Sequence, residues 1–350
     1  MRILVVRYRF IGDTILTVPF LRNLRRAYPY AKIDMLVSPV SGDLLETCPY
    51  IDNLIYFDTT RKHRYEHGKL AKKSFWHYVK LLRNEKYDKA YVLKRSLSSA
   101  LLCAFSGIKS RVGFDTEGRG FLLTKRVPYD VDKHEVESFL DVLKADNVPV
   151  FDNYLELWLS PDDVIEANEI LAKYDNGLKK VIVHATSGNP KKQWKKEYFA
   201  KVIEELINNR DVQVYHIGAK SDKPVYEEIR NMISVPLKNE PVNLCGELNI
   251  GVSAALIANV NLVFGNDSGT LHVAGALDVP TVVIYGPMDH KKWRVWNVNT
   301  KALSTKVPCY PCNLKTKCKK DYACLEQITP SIAISFIDEA LKNNIRTPLL

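Results

Sequence analysis

The chain opens with Ile3-Leu4-Val5-Val6, a short unbroken run of β-branched and apolar residues. Such a run, bounded by polar residues, predicts a strand over 2–6 buried on both faces. A turn follows at Phe10-Ile11-Gly12-Asp13, where Gly12 is expected to let the backbone bend tightly. Ile15, Leu16, Val18, Leu21 and Leu24 then repeat at helical spacing, with Arg22, Arg25 and Arg26 on the opposite face. The helix is expected to stop near Tyr28-Pro29, and Lys32–Val37 is the next strand. Strand, helix, strand in this rhythm builds parallel sheet. Ile51–Phe57 and Lys89–Leu93 read as further strands, with a helix over about 74–85 between them. After Gly107 and Gly113 the pattern weakens, until His134 opens a helix running to about Asn147.

Ser160-Pro161-Asp162-Asp163 looks like a helix start, with Ser160 as N-cap and Pro161 at the first helical position. That helix is expected to end near Asn176-Gly177, where the domain boundary is placed. The strand–helix rhythm then restarts. Strands are expected at 181–184, 212–217, 242–244, 262–264 and 281–284. Helices are expected near 197–208, 222–233, 250–259 and 269–277, with a last one near 331–343. The fold class is therefore α/β, with Rossmann-like doubly wound domains at 1–170 and 178–330 and a C-terminal helix and tail at 331–350. Doubly wound sheets bind ligands at the carboxyl ends of their strands, so a central cleft faced by both domains is the expected site.

Composition narrows the classes. The 350 residues are 46% hydrophobic and 26% charged, ordinary globular usage that excludes a disordered chain. No apolar run approaches the ~18 residues of a membrane span. The N-terminal apolar stretch is too short for a signal peptide, so a cytoplasmic protein is expected. The net charge of +10 favours anionic partners. Nucleic acid is disfavoured, because zinc-finger spacing, RNP-like aromatics and a basic zipper are all missing. Of the seven cysteines, Cys309, Cys312, Cys318 and Cys324 cluster with spacings that a structural metal, reduced thiols or a local disulfide in a basic loop would satisfy.

Three constellations carry candidate chemistry. Gly12-Asp13-Thr14 puts a carboxylate just beyond a strand end, available as a helix cap or as a general base. It is not part of a G-x-G-x-x-G dinucleotide fingerprint. His184-Ala185-Thr186-Ser187-Gly188, continuing to Lys191-Lys192-Gln193-Trp194, is either a plain polar loop or a phosphate cradle of hydroxyls, N–H groups and an ammonium. The most specific is Asn266-Asp267-Ser268-Gly269-Thr270-Leu271-His272, where a buried strand ends in polar residues and a helix of small residues begins. An exposed helix N-terminus is a ready anion site.

With Val273-Ala274-Gly275-Ala276-Leu277 and the later Tyr285-Gly286-Pro287, these segments resemble the ADP-heptose:lipopolysaccharide heptosyltransferases, the family 9 glycosyltransferases. The similarity runs along nearly the whole chain. It implies a GT-B fold, with acceptor on the N-terminal domain and nucleotide sugar on the C-terminal one. It also implies an inverting transfer of heptose from ADP-L-glycero-D-manno-heptose to a lipopolysaccharide core acceptor, with no cofactor or metal needed for catalysis. The implied site is at the cytoplasmic face of the inner membrane, as a peripheral protein. By the resemblance, Asp13 is the base on the acceptor hydroxyl, Thr186 and Ser187 bind the donor diphosphate, and Lys192 neutralises the leaving ADP. Asp222 falls near the ribose and Leu248 lines the adenine pocket. Asp267 and His272 face the sugar and diphosphate, and Ser268, Gly269 and Thr270 supply N–H groups. The loop from His184 looks one residue longer than in familiar members, which leaves Lys191 or Lys192 as the phosphate lysine. The Lys-x-Trp spacing favours Lys192.

Physical chemistry asks for the same parts: a base on one side of the anomeric carbon and fixed positive charge on the other. Closure of the domains is then expected to exclude water. Arg61, Lys62, Arg64, Lys94, Arg95, Arg111 and Arg119 become candidates for an acceptor rich in phosphate and carboxylate. The run 61–73, with six Lys or Arg and one Glu, equally suits a solvated loop. The competing readings are a related glycosyltransferase with another nucleotide sugar or acceptor, and a catalytically silent sugar-nucleotide-binding protein.

Overall fold

The computed structural model describes residues 1–58 and 73–342. The chain divides into two units, Met1–Trp158 and Leu159–Leu350. In the first, β1 (Arg2–Val6), β2 (Lys32–Val37), β3 (Asn53–Tyr56), β4 (Lys89–Val92), β5 (Ser110–Phe114) and β6 (Lys125–Val127) form a parallel sheet in the order β3-β2-β1-β4-β5-β6. In the second, β7 (Lys179–His184), β8 (Val212–His216), β9 (Val242–Asn243), β10 (Leu262–Asn266), β11 (Thr281–Ile284) and β12 (Thr300–Leu303) are parallel in the order β12-β11-β10-β7-β8-β9. Each sheet starts at its centre, winds outward, then returns to wind the other way. The reversal falls between β1 and β4 in one unit and between β7 and β10 in the other. Helices must cross between parallel strands, so both faces of each sheet are covered and the central strands are apolar throughout. Ile3, Leu4, Val5 and Val6 are fully buried, as are Val181, Ile182 and Val183.

Several details depart from the sequence expectations. The first helix is two, Ile11–Ile15 and Val18–Ala27. Pro19 in the first turn of the second lacks an N–H, and the Thr17 hydroxyl donates to the Asp13 carbonyl at 2.9 Å. Arg22, expected on the polar face, is buried. Its guanidinium donates to Asp152 Oδ1 at 2.6 Å and to the Tyr154 carbonyl at 2.7 Å, pairs with Glu156, and lies 3.5 Å from the centre of the Tyr154 ring. Buried charge is tolerated because carboxylates 130 or so positions away fold back onto it. Helix Leu97–Phe105 and strands β5 and β6, none of them expected from the sequence, lie between β4 and the helix at His134.

The units divide at Trp158 and Leu159, upstream of the expected boundary. Helix Pro161–Lys173 begins as expected, with Ser160 Oγ accepting from the Asp163 N–H at 3.1 Å. It packs on helix Ile250–Ala258 of the second unit, so closely that a methyl at Gly251 would fall 2.3 Å from Asp163 Oδ2. Helix Pro330–Lys342 also joins that unit, burying Ala333 and Ile337 against Phe199, Ile203 and Leu206 of helix Lys196–Arg210.

His216, at the end of β8, is buried with Nδ1 3.0 Å from the Val183 carbonyl, and its ring stacks on Tyr226 at 4.1 Å. Burial pulls its pKa from 6.5 to about 4. The unfolded chain takes up that proton near pH 6.5 while the folded one refuses it, so this contribution to stability is complete above pH 6.5 and is lost as pH falls toward 4. Urea unfolding of the wild type is expected to lose about 2 kcal/mol to this group between pH 7 and pH 5. His216→Gln removes that part of the slope. Equal pH slopes for the two proteins would refute the assignment.

Candidate functional site

Ligand sites in doubly wound sheets form outside the carboxyl ends of the strands, where the winding reverses. Polar residues converge at both reversal points.

In the second unit, β7 ends at His184 and β10 at Asn266. A methyl at Gly265 would sit 2.2 Å from the His184 carbonyl oxygen, so only glycine permits this approach. Asn266 is fully buried and ties the two strand ends together. Its Nδ2 donates to the Ala185 carbonyl at 2.7 Å, and its Oδ1 accepts from the Trp194 N–H at 2.9 Å. Trp194 is anchored in turn. Its indole N–H donates to the Ile328 carbonyl at 2.9 Å, and its ring meets Phe199 edge-on at 5.1 Å. Between these fixed points Asn189 caps the short turn Pro190–Lys192, accepting from the Lys191 N–H at 3.1 Å, and Gln193 Nε2 donates to the Ser187 carbonyl at 3.1 Å.

The turn leaves Lys191 exposed and directs Lys192 inward. Lys192 Nζ lies 2.5 Å from Asp267 Oδ2, and both side chains are largely shielded, at 19% and 8% exposure. The other Asp267 oxygen is 4.0 Å from His272 Nε2. Ser187 Oγ donates to the Asp267 carbonyl at 3.2 Å, and Thr270 Oγ1 lies 3.4 Å from His184 Nε2. Ser268 precedes helix Gly269–Ala276 without capping it through its side chain. The buried hydroxyls of Thr186 and Ser268 have no hydrogen-bond partner among the described residues. Unsatisfied hydroxyls, an inward ammonium and free first-turn N–H groups form a site whose complement is an anion.

Two other candidates lie nearby in the chain. Asp222 is buried and accepts from the Ala219 N–H at 3.0 Å, which fastens the turn after β8. Leu248 is half-buried, just before Asn249, the N-cap of helix Ile250–Ala258.

The cysteine cluster is not a ready metal site. Among the described residues no group of three His, Cys, Asp or Glu side chains is placed to hold an ion, and Cys309, Cys312, Cys318 and Cys324 are free thiols. Cys309 is exposed, whereas Cys324 is buried. Burial, followed by the neighbouring Cys312, Cys309 and Cys318, pushes the Cys324 thiol up to about 11.

In the first unit, β1 leads into Arg7 and β4 into Lys94 and Arg95. The tight turn is made by Arg9 and Phe10, with φ of 79° and 56°, and Gly12 lies within helix Ile11–Ile15. Positive φ at two bulky residues costs on the order of 1–3 kcal/mol each and concentrates at functional sites. The turn folds Asp13 back toward the strand end, where Arg7 Nη2 meets Asp13 Oδ2 at 2.6 Å, with side-chain exposures of 5% and 13%. Asp13 is thus one turn inside the helix and does not cap it; the N-cap position is Phe10.

Lys94 is half-buried, and burial, then Arg7, pull its pKa down to about 8. Arg95 pairs with the fully buried Glu135 at 3.3 Å and lies 3.8 Å from the centre of the Tyr129 ring, whose hydroxyl donates to Glu135 at 2.7 Å. Arg119 and Arg111 serve mainly to brace backbone. Arg119 donates to the carbonyls of Phe114 at 3.1 Å and Ser96 at 3.2 Å, and Arg111 to that of Leu122 at 2.6 Å. Arg61, Lys62 and Arg64 lie outside the described residues.

Two solved proteins share this architecture. A family 9 glycosyltransferase from Veillonella parvula superposes with a TM-score of 0.82 at 23% identity, covering 98% of this chain and 97% of that one. The E. coli ADP-heptose LPS heptosyltransferase II gives 0.76 at 23% identity, covering 98% and 99%. Two Rossmann-like units of this kind define a GT-B glycosyltransferase fold. The family model for glycosyltransferase family 9 (heptosyltransferase) matches residues 75–323. Lipooligosaccharide heptosyltransferase 2 of Haemophilus influenzae is 31% identical over 302 residues, 82% of this chain and 84% of that protein. The chain belongs to glycosyltransferase family 9 and is a transferase.

Sequence reading missed Arg7 and Glu135. Arg7 had a signal, since a cation directly after a fully apolar strand sits at the mouth of a doubly wound sheet. The Lys192–Asp267 pair yields a test. Lys192→Ala is expected to lower kcat by about 10²–10³, the scale for one preorganised electrostatic group, while Lys191→Ala stays within about threefold of wild type. Steady-state kinetics with the reverse pattern would mean that Lys191 is the working lysine.

Proposed function

We propose that this protein transfers heptose from ADP-L-glycero-D-manno-heptose to a hydroxyl of a lipopolysaccharide core acceptor, with inversion at the anomeric carbon. The observation that carries this reading is the β7/β10 reversal, where Lys192 reaches Asp267 and the buried hydroxyls of Thr186 and Ser268 have no partner among the described residues, beside the start of helix Gly269–Ala276. The relatives named above, one of them an ADP-heptose enzyme, support the choice of donor.

In this reading the donor diphosphate takes the hydroxyls of Thr186 and Ser187 and the N–H groups of Ser268, Gly269 and Thr270. Lys192 leaves its contact with Asp267 for the β-phosphate, and Asp267 and His272 turn to the sugar. Asp222 faces the ribose and Leu248 the adenine. Asp13 removes the acceptor proton with Oδ1, since Arg7 holds Oδ2. The acceptor oxygen then bonds to the anomeric carbon as the bond from that carbon to the phosphate oxygen breaks. The electron pair leaves on ADP, whose new charge meets Lys192 and the helix N-terminus. The helix N–H groups are fixed before the donor arrives and meet that charge without reorganising, while Lys192 exchanges one oxyanion for another. Lys94 and Arg95 meet anionic groups of the acceptor, whose lipid places the enzyme at the cytoplasmic face of the inner membrane.

Incubation with a panel of nucleotide sugars and heptose-free core acceptor, read by mass spectrometry, tests the proposal. Heptose addition from ADP-heptose is the expected result. Addition of another sugar, or no reaction with any donor, would replace this reading with one of its competitors. Asp13→Asn preserves the shape of the side chain and removes the base, so kcat is expected to fall by about 10²–10⁴ with donor affinity little changed. Wild-type turnover by that variant would remove Asp13 from the mechanism.

A further inference from the structure

Helix Leu97–Phe105 breaks the usual rule for a surface helix. Its inner face buries Ser99, Ala100, Leu102 and Cys103, and its outer face carries Leu97, Ser98, Leu101, Ala104 and Phe105. It holds no charged residue and is apolar nearly all round, the pattern of a helix covered on both sides. Yet Leu97 and Phe105 are exposed. Beside it, helix Phe75–Glu85 turns Trp76 outward at 64% exposure, and the indole stacks on Phe105 at 5.4 Å. The exposed positions of that second helix are Trp76, His77, Lys80, Arg83 and Asn84, with no acid among them. Arg83 donates to the Phe105 carbonyl at 2.5 Å, and Lys73 and Lys109 are exposed near the ends of the pair.

We propose that this face rests on an anionic lipid surface, with Trp76, Phe105, Leu101 and Leu97 entering the interface and Lys80, Arg83 and Lys109 meeting headgroup phosphates. Aromatic side chains within a cationic rim are the composition that partitions into a membrane interface, and each basic residue there adds attraction to acidic lipid. Charge argues against a second copy as the occupant. A two-fold contact would set Lys80 and Arg83 against the same cations of the other molecule, with no acid on either face to offset them. The proposal rests on the membrane-bound acceptor of the functional reading and adds the surface that meets the membrane.

Co-sedimentation with vesicles of phosphatidylglycerol and phosphatidylcholine, against phosphatidylcholine alone, tests it. The wild type is expected to bind the anionic vesicles and not the neutral ones. Trp76→Ser combined with Phe105→Ser weakens binding about tenfold or more, and Lys80→Gln and Arg83→Gln about fivefold each. Trp76→Phe keeps binding but loses the quenching of tryptophan fluorescence by brominated lipid, which shows that the indole itself enters. Circular dichroism confirms that each variant is folded. Vesicle binding by the double serine variant equal to wild type would overturn the proposal. So would a wild-type dimer, seen by sedimentation velocity, that Trp76→Ser dissociates without any effect on vesicles. Transfer to a delipidated acceptor, measured in parallel, separates the two readings. Transfer without vesicle binding defeats this proposal alone, and vesicle binding without transfer defeats the functional reading alone.

Discussion

A single buried amide sets the geometry at the reversal of the second sheet. Asn266 uses both ends of its side chain across the reversal of the second sheet, accepting from Trp194 and donating to Ala185. The loop between those residues is therefore clamped at both ends to the strand that precedes Asp267. A hydroxyl residue could not replace it, because the task needs a donor and an acceptor held in one plane. Trp194 makes the clamp rigid by burying its ring in the core and spending its indole N–H on the carbonyls of Leu325 and Ile328. The inward course of Lys192 follows from that frame. An ammonium already directed to this point has only to exchange the Asp267 carboxylate for an incoming anion.

The first unit solves a related problem with a different device. Its sheet reverses in the same order, and the residues beyond its strand ends are again charged. There the carboxylate is held by an arginine from its own strand end, and the turn between them is strained at Arg9 and Phe10. Lys94, Arg95 and Arg7 give that end a cationic character, and burial leaves Lys94 near the point where it can lose its proton. A bound anion would oppose that loss. One topology thus supports two kinds of site, one organised around an inward lysine and the other around a paired aspartate.

Much of this was legible in the residues. β1 and β7 are unbroken apolar runs, and a polar Asn-Asp-Ser-Gly-Thr at the end of a buried strand is too costly to be incidental. The choice of Lys192 over Lys191 rested on spacing to Trp194, and the structure places Lys192 inward and Lys191 outward. Other features depend on distant partners. Arg22 sits on the polar face of its helix by local periodicity, and only Asp152 and Glu156, far along the chain, make its burial possible. Helix Leu97–Phe105 escaped detection because both of its faces are apolar, which erases the 3.6-residue signal. The capped helix at Ser160 reads the same in the sequence whichever unit it packs on, and in the structure it packs on helix Ile250–Ala258. The loose cysteine spacings do not choose between metal and thiols, and in the structure the four cysteines are unbridged.

In the proposed function the Asn266 clamp, acting through the 185–194 loop, prepares the diphosphate site. Asn266→Asp tests it most directly, because the carboxylate still accepts from Trp194 but can no longer donate to Ala185. Calorimetric titration with ADP should show affinity falling by about tenfold, the scale of losing one buried hydrogen bond and leaving its partner unpaired, while the far-UV spectrum stays that of the wild type. Unchanged ADP affinity in a folded Asn266→Asp protein would mean that the clamp does not shape the diphosphate site.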